Sequence, residues 1–252
     1  MEFVSESALN ILDSKRIEYS ANGPFPYIVI DNFLNIDKAN SLHHIINELD
    51  KRDADRSFLN KNSKNEYNKY SYSTDAIVSL TNRNKIFSIM LNLFDELNSP
   101  LFLKKLEHIT SINDLIADRK LVGAGIHKTY TDGYLGIHTD FNTYCTDKFG
   151  RLDRRINLLI YMNKEYNDEF NGHLQLYEKQ IGSQKMKMAE CISPIFNRCV
   201  IFNTSSKSLH GHPLPLCKML SRNSIANYYY TKNVRTDGKD FEGDAVHDTI
   251  FY

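Results

Sequence analysis

The chain has 252 residues, 41% hydrophobic and 25% charged, with 31 basic against 31 acidic side chains. This is ordinary globular composition, long enough to bury a sizeable core without disulfide staples. Zero net charge gives no global reason to bind nucleic acid or an anionic membrane, and no apolar run is long enough to cross a bilayer.

The opening residues, MEFVSESALNILDSKR, have no basic head leading into an apolar core, so no secretory signal is expected. Cys145, Cys191, Cys199 and Cys217 form no C-x-x-C pair, and reduced thiols in a cytoplasmic protein are the plain expectation. ESALNILDSK predicts a short amphipathic helix. PYIVIDNFL, apolar and β-rich after Gly and Pro, predicts a strand. NIDKANSLHHIINELDKRD has apolar positions at helical spacing, with Asn35 as N-cap and His43 on an ordinary helix face. The polar SFLNKNSKNEYNKYSYSTD reads as a loop. NRNKIFSIMLNLFDELNSPLFLKKLEHITSI carries another helix, interrupted near Pro100.

After about Leu121 the texture changes. Short β-like runs follow one another closely: LVGAGIHKTY, YLGIHTDF, RRINLLIYMN, GHLQLYEK, CVIFNTS, SLHGHP and RNSIANYYYT, with Gly, Asn, Asp and Pro between them. Many short strands with turn signals predict a sandwich or jelly roll. The expected class is therefore α+β with a mostly β core, helices packing on one side. No internal boundary is evident, so 1–252 reads as one domain. Residues 1–120 form its helix-rich part, 121–232 its core, and 233–252 a tail able to fold back over the barrel or act as a lid.

Residues two apart on a strand share a face, so His138 and Asp140 in GYLGIHTDFN converge. A buried carboxylate needs a partner, and a cation is one solution. SLHGHP supplies His210 and His212 downstream. Two imidazoles and a carboxylate can occupy one face of an iron(II) ion, leaving positions open for a cosubstrate and dioxygen. A merely structural His–Asp hydrogen bond is the competing reading. Arg222 and Ser224 share a face of RNSIANYYYT, and a guanidinium fork beside a hydroxyl suits a small dicarboxylate.

From about Val122 to Thr231 these blocks, in this order, resemble the iron(II)- and 2-oxoglutarate-dependent dioxygenases, and within them a prolyl-4-hydroxylase-like bacterial branch. PYIVIDNFL is similar to that family's opening strand. The resemblance implies a double-stranded β-helix, or jelly roll, with N-terminal flanking helices. It implies Fe(II), 2-oxoglutarate and dioxygen, with ascorbate in support. It also implies His138, Asp140 and His210 as metal ligands, the family pattern taking the first histidine of SLHGHP and leaving His212 beside the metal or facing the substrate. Arg222 is implied as the partner of the far carboxylate of 2-oxoglutarate, with Ser224 adding a hydrogen bond. Asn157, Tyr161 and Tyr130 are candidates for lining the cosubstrate pocket.

Two departures bear on the substrate. Prolyl hydroxylases commonly place Lys where this chain has Arg222. YTDG, before Tyr134, lacks the Pro and Arg of the branch. Halogenating relatives lack the carboxylate that Asp140 supplies, so hydroxylation is the implied outcome, with succinate and CO2 as coproducts. The substrate is a prolyl residue, an amino acid or a small biosynthetic intermediate. The other readings are a cupin-type metalloenzyme without 2-oxoglutarate and a non-catalytic ligand-binding or sensor protein on the same scaffold. His127 and His173 read as structural histidines, His127 also as a candidate substrate contact, and Tyr228, Tyr229 and Tyr230 as core packing. Oligomeric state is not legible.

Overall fold

The computed structural model describes residues 1–55, 64–146, 148–179, 185–218, 221–232 and 248–252. The helices are α1 (Glu6–Ser14), α2 (Arg16–Ala21), α3 (Ile36–Asn47), α4 (Thr74–Arg83), α5 (Ser88–Leu97) and α6 (Pro100–Thr110). Their ends follow from local chemistry. The Ser5 hydroxyl accepts from the Ala8 N–H and caps α1. Asn35 holds the N-cap position of α3, but its amide donates to Glu2 O at 2.7 Å, so it ties α3 to the N-terminus instead of capping it. Ser99 caps α6 and Pro100 fills the first helical position, which is why one predicted helix is two.

The strands are β1 (Tyr27–Ile30), β2 (Glu66–Tyr72), β3 (Ile116–Ala117), β4 (Gly125–Thr139), β5 (Thr143–Thr146), β6 (Gly150–Tyr161), β7 (Leu174–Lys179), β8 (Met186–Ile192), β9 (Cys199–Asn203), β10 (Leu209–His212), β11 (Ser221–Thr231) and β12 (Ile250–Phe251). They pair antiparallel in the path β1-β9-β6-β11-β4-β10-β7-β8. This path curls into a double-stranded β-helix because β4 serves both sheets. Its first half pairs with β11 (Ile126↔Ile225 to Tyr130↔Ser221), and its second half pairs with β10 (His138↔His210). The bend lies at Asp132, with φ +65°, and Gly133, where an added Cβ would sit 2.6 Å from Tyr130 O. Only glycine admits the backbone that closely. The two predicted runs LVGAGIHKTY and YLGIHTDF are thus one bent strand.

Strand parity divides two cores. Ile28 and Ile30 of β1, Ile156, Leu158 and Ile160 of β6, Cys199 and Ile201 of β9, and Ile225 and Tyr229 of β11 face the helices. Leu12, Leu42, Ile46, Leu93, Phe102 and Leu106 meet them there, all fully buried. Tyr27, Tyr161, Val200 and Phe202 face inward against Leu174, Leu176 and Ile192 of the second sheet. Strands buried on both faces read as near-continuous apolar runs, which is why RRINLLIYMN and CVIFNTS were legible. Each fully buried Leu, Ile or Phe contributes about 1.5–3 kcal/mol, so packing rather than intrinsic propensity holds the short helices.

Besides α2, β3 and β5, which the sequence reading does not contain, three elements depart from it. The predicted polar loop over 57–75 contains β2, a strand on the edge of β4 whose residues are mostly half-exposed; its residues 57–63 lie outside the described residues. Polar edge strands lack the apolar alternation that marks inner ones. For the same reason β8, exposed along most of its length, is invisible in the sequence. α4 is the third, its apolar face reduced to Ile77, Leu80 and the methyl of Thr81. Of the tail, 233–247 lies outside the described residues, and 248–252 returns to the barrel, where β12 pairs with β4. Among the described residues no helix is long and apolar enough to cross a membrane.

Candidate metal centre

Between the two sheets lies a cavity of about 620 Å³ lined by His138, Asp140 and His210, together with Arg222, Ser224 and Asn157. His138 and His210 face each other across the β4–β10 ladder, ring centroids 4.4 Å apart. His138 Nε2 lies 3.5 Å from Asp140 Oδ1, and His210 Nε2 lies 3.6 Å from Asp140 Oδ2. One ligand atom from each residue falls within 4.8 Å of the others. Gly211 lets the strands approach this closely, since a Cβ there would sit 2.6 Å from Gly136 O.

The histidines are oriented by their own strands. His138 Nδ1 is 2.9 Å from Gly136 O, and His210 Nδ1 is 2.8 Å from Ser208 O. A carbonyl can only accept, so each Nδ1 carries the proton and each Nε2 presents its lone pair to Asp140. Burial pushes the His210 imidazole down to about 4, keeping it neutral. Burial alone would raise the Asp140 carboxyl, but the Arg154 guanidinium, the leading opposing charge, helps hold the group well below the carboxylate range. Neutral imidazole nitrogens and an ionised carboxylate, with the far nitrogens anchored, are the donor set that a divalent metal takes. The residues therefore fit iron(II).

In the same cavity, Arg222 is 5% exposed. Its Nε donates to Gly172 O at 2.6 Å, and Nη2 lies 3.3 Å from the Tyr161 hydroxyl. Among the described residues no carboxylate comes within ion-pair distance of it. A desolvated guanidinium without a counter-ion is costly, and an anionic ligand in the cavity would balance it.

The structure brings His138, Asp140, His210, Arg222, Ser224 and Asn157 to one cavity, with Tyr161 under the Arg222 guanidinium. Tyr130 does not join them. His127 faces the cavity, so alternation turns Lys128 and Tyr130 to the opposite face of β4, where they line a separate groove of about 1110 Å³. His212 shares the cavity with His210, buried and with Nδ1 unbonded among the described residues, but lies outside the ligand cluster. His127 also lines the cavity, its Nε2 donating to Gly123 O at 3.1 Å. His173 is structural, bonded to Tyr166 and Asp168. His43 docks α3 through Met162 O.

Several cavity residues were not read from the sequence. Arg154 Nη2 lies 3.0 Å from Asp140 Oδ2, and its guanidinium stacks 3.4 Å from the Tyr228 ring centroid. Counting by twos back from Asn157 selects Arg155; a bulge opposite Tyr229 and Tyr230 re-aims the strand and presents Arg154 instead. A second irregularity, between Leu135 and His138, brings Leu135 onto the same face as His138 and Asp140. Tyr228, Tyr229 and Tyr230 join the core as expected, the Tyr229 hydroxyl donating to Leu97 O at 3.0 Å, and Tyr228 also lines the cavity. Glu66 and Lys69 of β2, ion-paired at 2.9 Å, and Asp248, Thr249 and Phe251 of the C-terminus complete the wall.

Residues 124–230 match the family model described as the 2OG-Fe(II) oxygenase superfamily. No curated protein matches the chain. Among solved structures, the fold is similar to that of a Trichoplax adhaerens prolyl hydroxylase in complex with a hypoxia inducible factor peptide fragment. That likeness has a TM-score of 0.54 at 17% identity over 90% of this chain and 92% of the other. A Pseudomonas putida prolyl-4-hydroxylase gives 0.51 at 13% identity, covering 88% and 99%. HygX from Streptomyces hygroscopicus, with nickel and 2-oxoglutarate bound, gives 0.51 at 13%, covering 99% and 97%. At these identities the likeness is one of fold.

Proposed function

We propose that this chain, whose residues 124–230 match the model of the 2OG-Fe(II) oxygenase superfamily, is a 2-oxoglutarate-dependent dioxygenase that hydroxylates a C–H bond of a prolyl residue, a free amino acid or a small biosynthetic intermediate. Its metal is iron(II) and its cosubstrate 2-oxoglutarate. In this reading His138, Asp140 and His210 hold the metal, and Arg222 grips the distal carboxylate of the cosubstrate, with Ser224 and Tyr161 beside it. When bound, iron(II) supplies dioxygen activation coupled to decarboxylation of 2-oxoglutarate to succinate. The chain's own residues position and insulate. Gly136 O and Ser208 O fix the imidazoles, Arg154 and Asn157 hold Asp140, and Leu159 and Leu174 give the cavity apolar walls. Helices and barrel act as one unit, as the large core they share supports. All four cysteines are free, which fits action in the cytoplasm.

The observation that carries this reading is Arg222, a buried cation without a protein counter-ion among the described residues, in the same cavity as the triad. A jelly-roll metalloenzyme without 2-oxoglutarate leaves that charge unexplained. The test is thermal unfolding under anaerobic conditions. Iron(II) raises the melting temperature of the parent, and 2-oxoglutarate at a hundredfold over its Kd adds about 2.7 kcal/mol. R222A keeps the first step and loses the second; H138A and D140A lose both. Succinate release over free amino acids and prolyl peptides then identifies the substrate. A cosubstrate step that survives in R222A refutes the assignment.

A further inference from the structure

The last residues of the chain build part of the cavity. β12 adds to the edge of β4 beyond the point where β2 leaves it: β2 ends its pairing at Leu135, and β12 pairs Phe251 with His138 and Ile250 with Thr139. The Tyr252 N–H donates to Ile137 O at 3.0 Å, so residues 137–139 of β4 are all covered. Lys179 lies 5.8 Å from the Tyr252 ring centroid and ties the strand's end to β7. Ile250 and Tyr252 point outward, 41% and 49% exposed, and Phe251 points in. Its ring centroid is 5.4 Å from that of His138. Phe251 packs on neither hydrophobic core. A large apolar ring that serves no core, and instead abuts the imidazole of a candidate ligand, has its surface committed to the cavity.

We propose that Phe251 is a positioning residue of the active site, walling the His138 side of the metal centre from bulk water and giving the substrate chamber an apolar surface there. The proposal rests on the metal reading above. Since β12 already occupies the free edge of β4, no extended peptide can add to the sheet at that point. The chamber on this side therefore offers its ligand the face of the ring rather than a free strand edge.

The chain contains no tryptophan, so F251W introduces a lone indole at this position. Cobalt(II), whose visible bands report its own binding, quenches most of the indole emission of F251W as the site fills, while zinc(II), with a closed d shell, leaves it in place. In F251A, iron(II) protein binds 2-oxoglutarate within twofold of the parent, read from the visible charge-transfer band. It nevertheless releases succinate severalfold faster when no second substrate is present, and F251L restores the parent rate. Cobalt(II) binding that leaves the indole bright refutes the wall, as does F251A with unchanged substrate-free succinate release. Failure of cobalt(II) to bind parent and variant alike removes the metal reading, and this proposal with it.

Discussion

Replacing Arg154 with Met asks how the site keeps a carboxylate ionised before a metal arrives. Arg154 Nη2 lies 3.0 Å from Asp140 Oδ2, with the two side chains 1% and 11% exposed. The guanidinium stacks between the rings of Tyr228 and Phe141, at 3.4 and 4.5 Å. Met preserves much of that apolar packing and deletes the charge, so the loss reports the ion pair more than a void. Breaking a buried pair by removing one partner costs about 3–5 kcal/mol. Asn157 still donates to Asp140 Oδ2 at 3.2 Å, which sets the expected loss near the lower end, about 3 kcal/mol. In a chain of this length that lowers the melting temperature by about 6–12 °C. A divalent ion at the triad supplies the positive charge that Arg154 supplied. With saturating zinc(II) the same substitution therefore costs about half as much. Urea unfolding of parent and R154M, with chelator and with zinc(II), measures both figures. Equal losses in the two conditions, or a loss below about 1 kcal/mol with chelator, would mean that Arg154 is not what holds the Asp140 charge.

Two other substitutions probe the frame around the site. G211A drives a methyl into Gly136 O and Leu135 O, at 2.6 and 2.9 Å, so β10 and β4 separate where His210 meets His138; stability falls by about 1–3 kcal/mol, and cobalt(II) titration shows weakened binding. Lys128 Nζ donates to Ile46 O at 2.9 Å, Leu49 O at 3.1 Å and Asn47 O at 3.4 Å, closing the C-terminal end of α3, and burial pushes its ammonium down to about 8. An unfolded lysine titrates near 10.4, so between pH 8 and about 10.4 the unfolded chain binds more protons and the parent gains stability as pH rises. K128M lacks that gain and loses about 1–3 kcal/mol at pH 7 from carbonyls left without a donor. Denaturant midpoints at pH 7 and pH 10 check it, and parallel profiles for the two proteins would refute it.

The barrel was legible because its inner strands are apolar on both faces, and the triad because H-x-D on a strand and S-L-H-G-H-P are short, local patterns. What escaped the sequence depends on register. Arg154 reaches Asp140 only because a bulge breaks the alternation that would have chosen Arg155. Tyr130, a candidate for the cosubstrate pocket, sits three residues from His127, and odd spacing turns a strand residue to the other face. β2 and β12 are edge strands, their polar or very short sequences offering no periodicity. Their place on β4 is set by backbone pairing, to which side-chain pattern contributes little.

Each imidazole of the triad is aimed by a carbonyl two residues earlier on its own strand. The bearing of the donor atoms is thus encoded in two tripeptides and travels with them, whatever happens to the outer helices. A change that loosens the flank alters how far apart the two strands stand, but not which nitrogen each ring offers. Evolution can then reshape the chamber's rim freely, exchanging one substrate for another, while the same electron pairs stay pointed at the same spot.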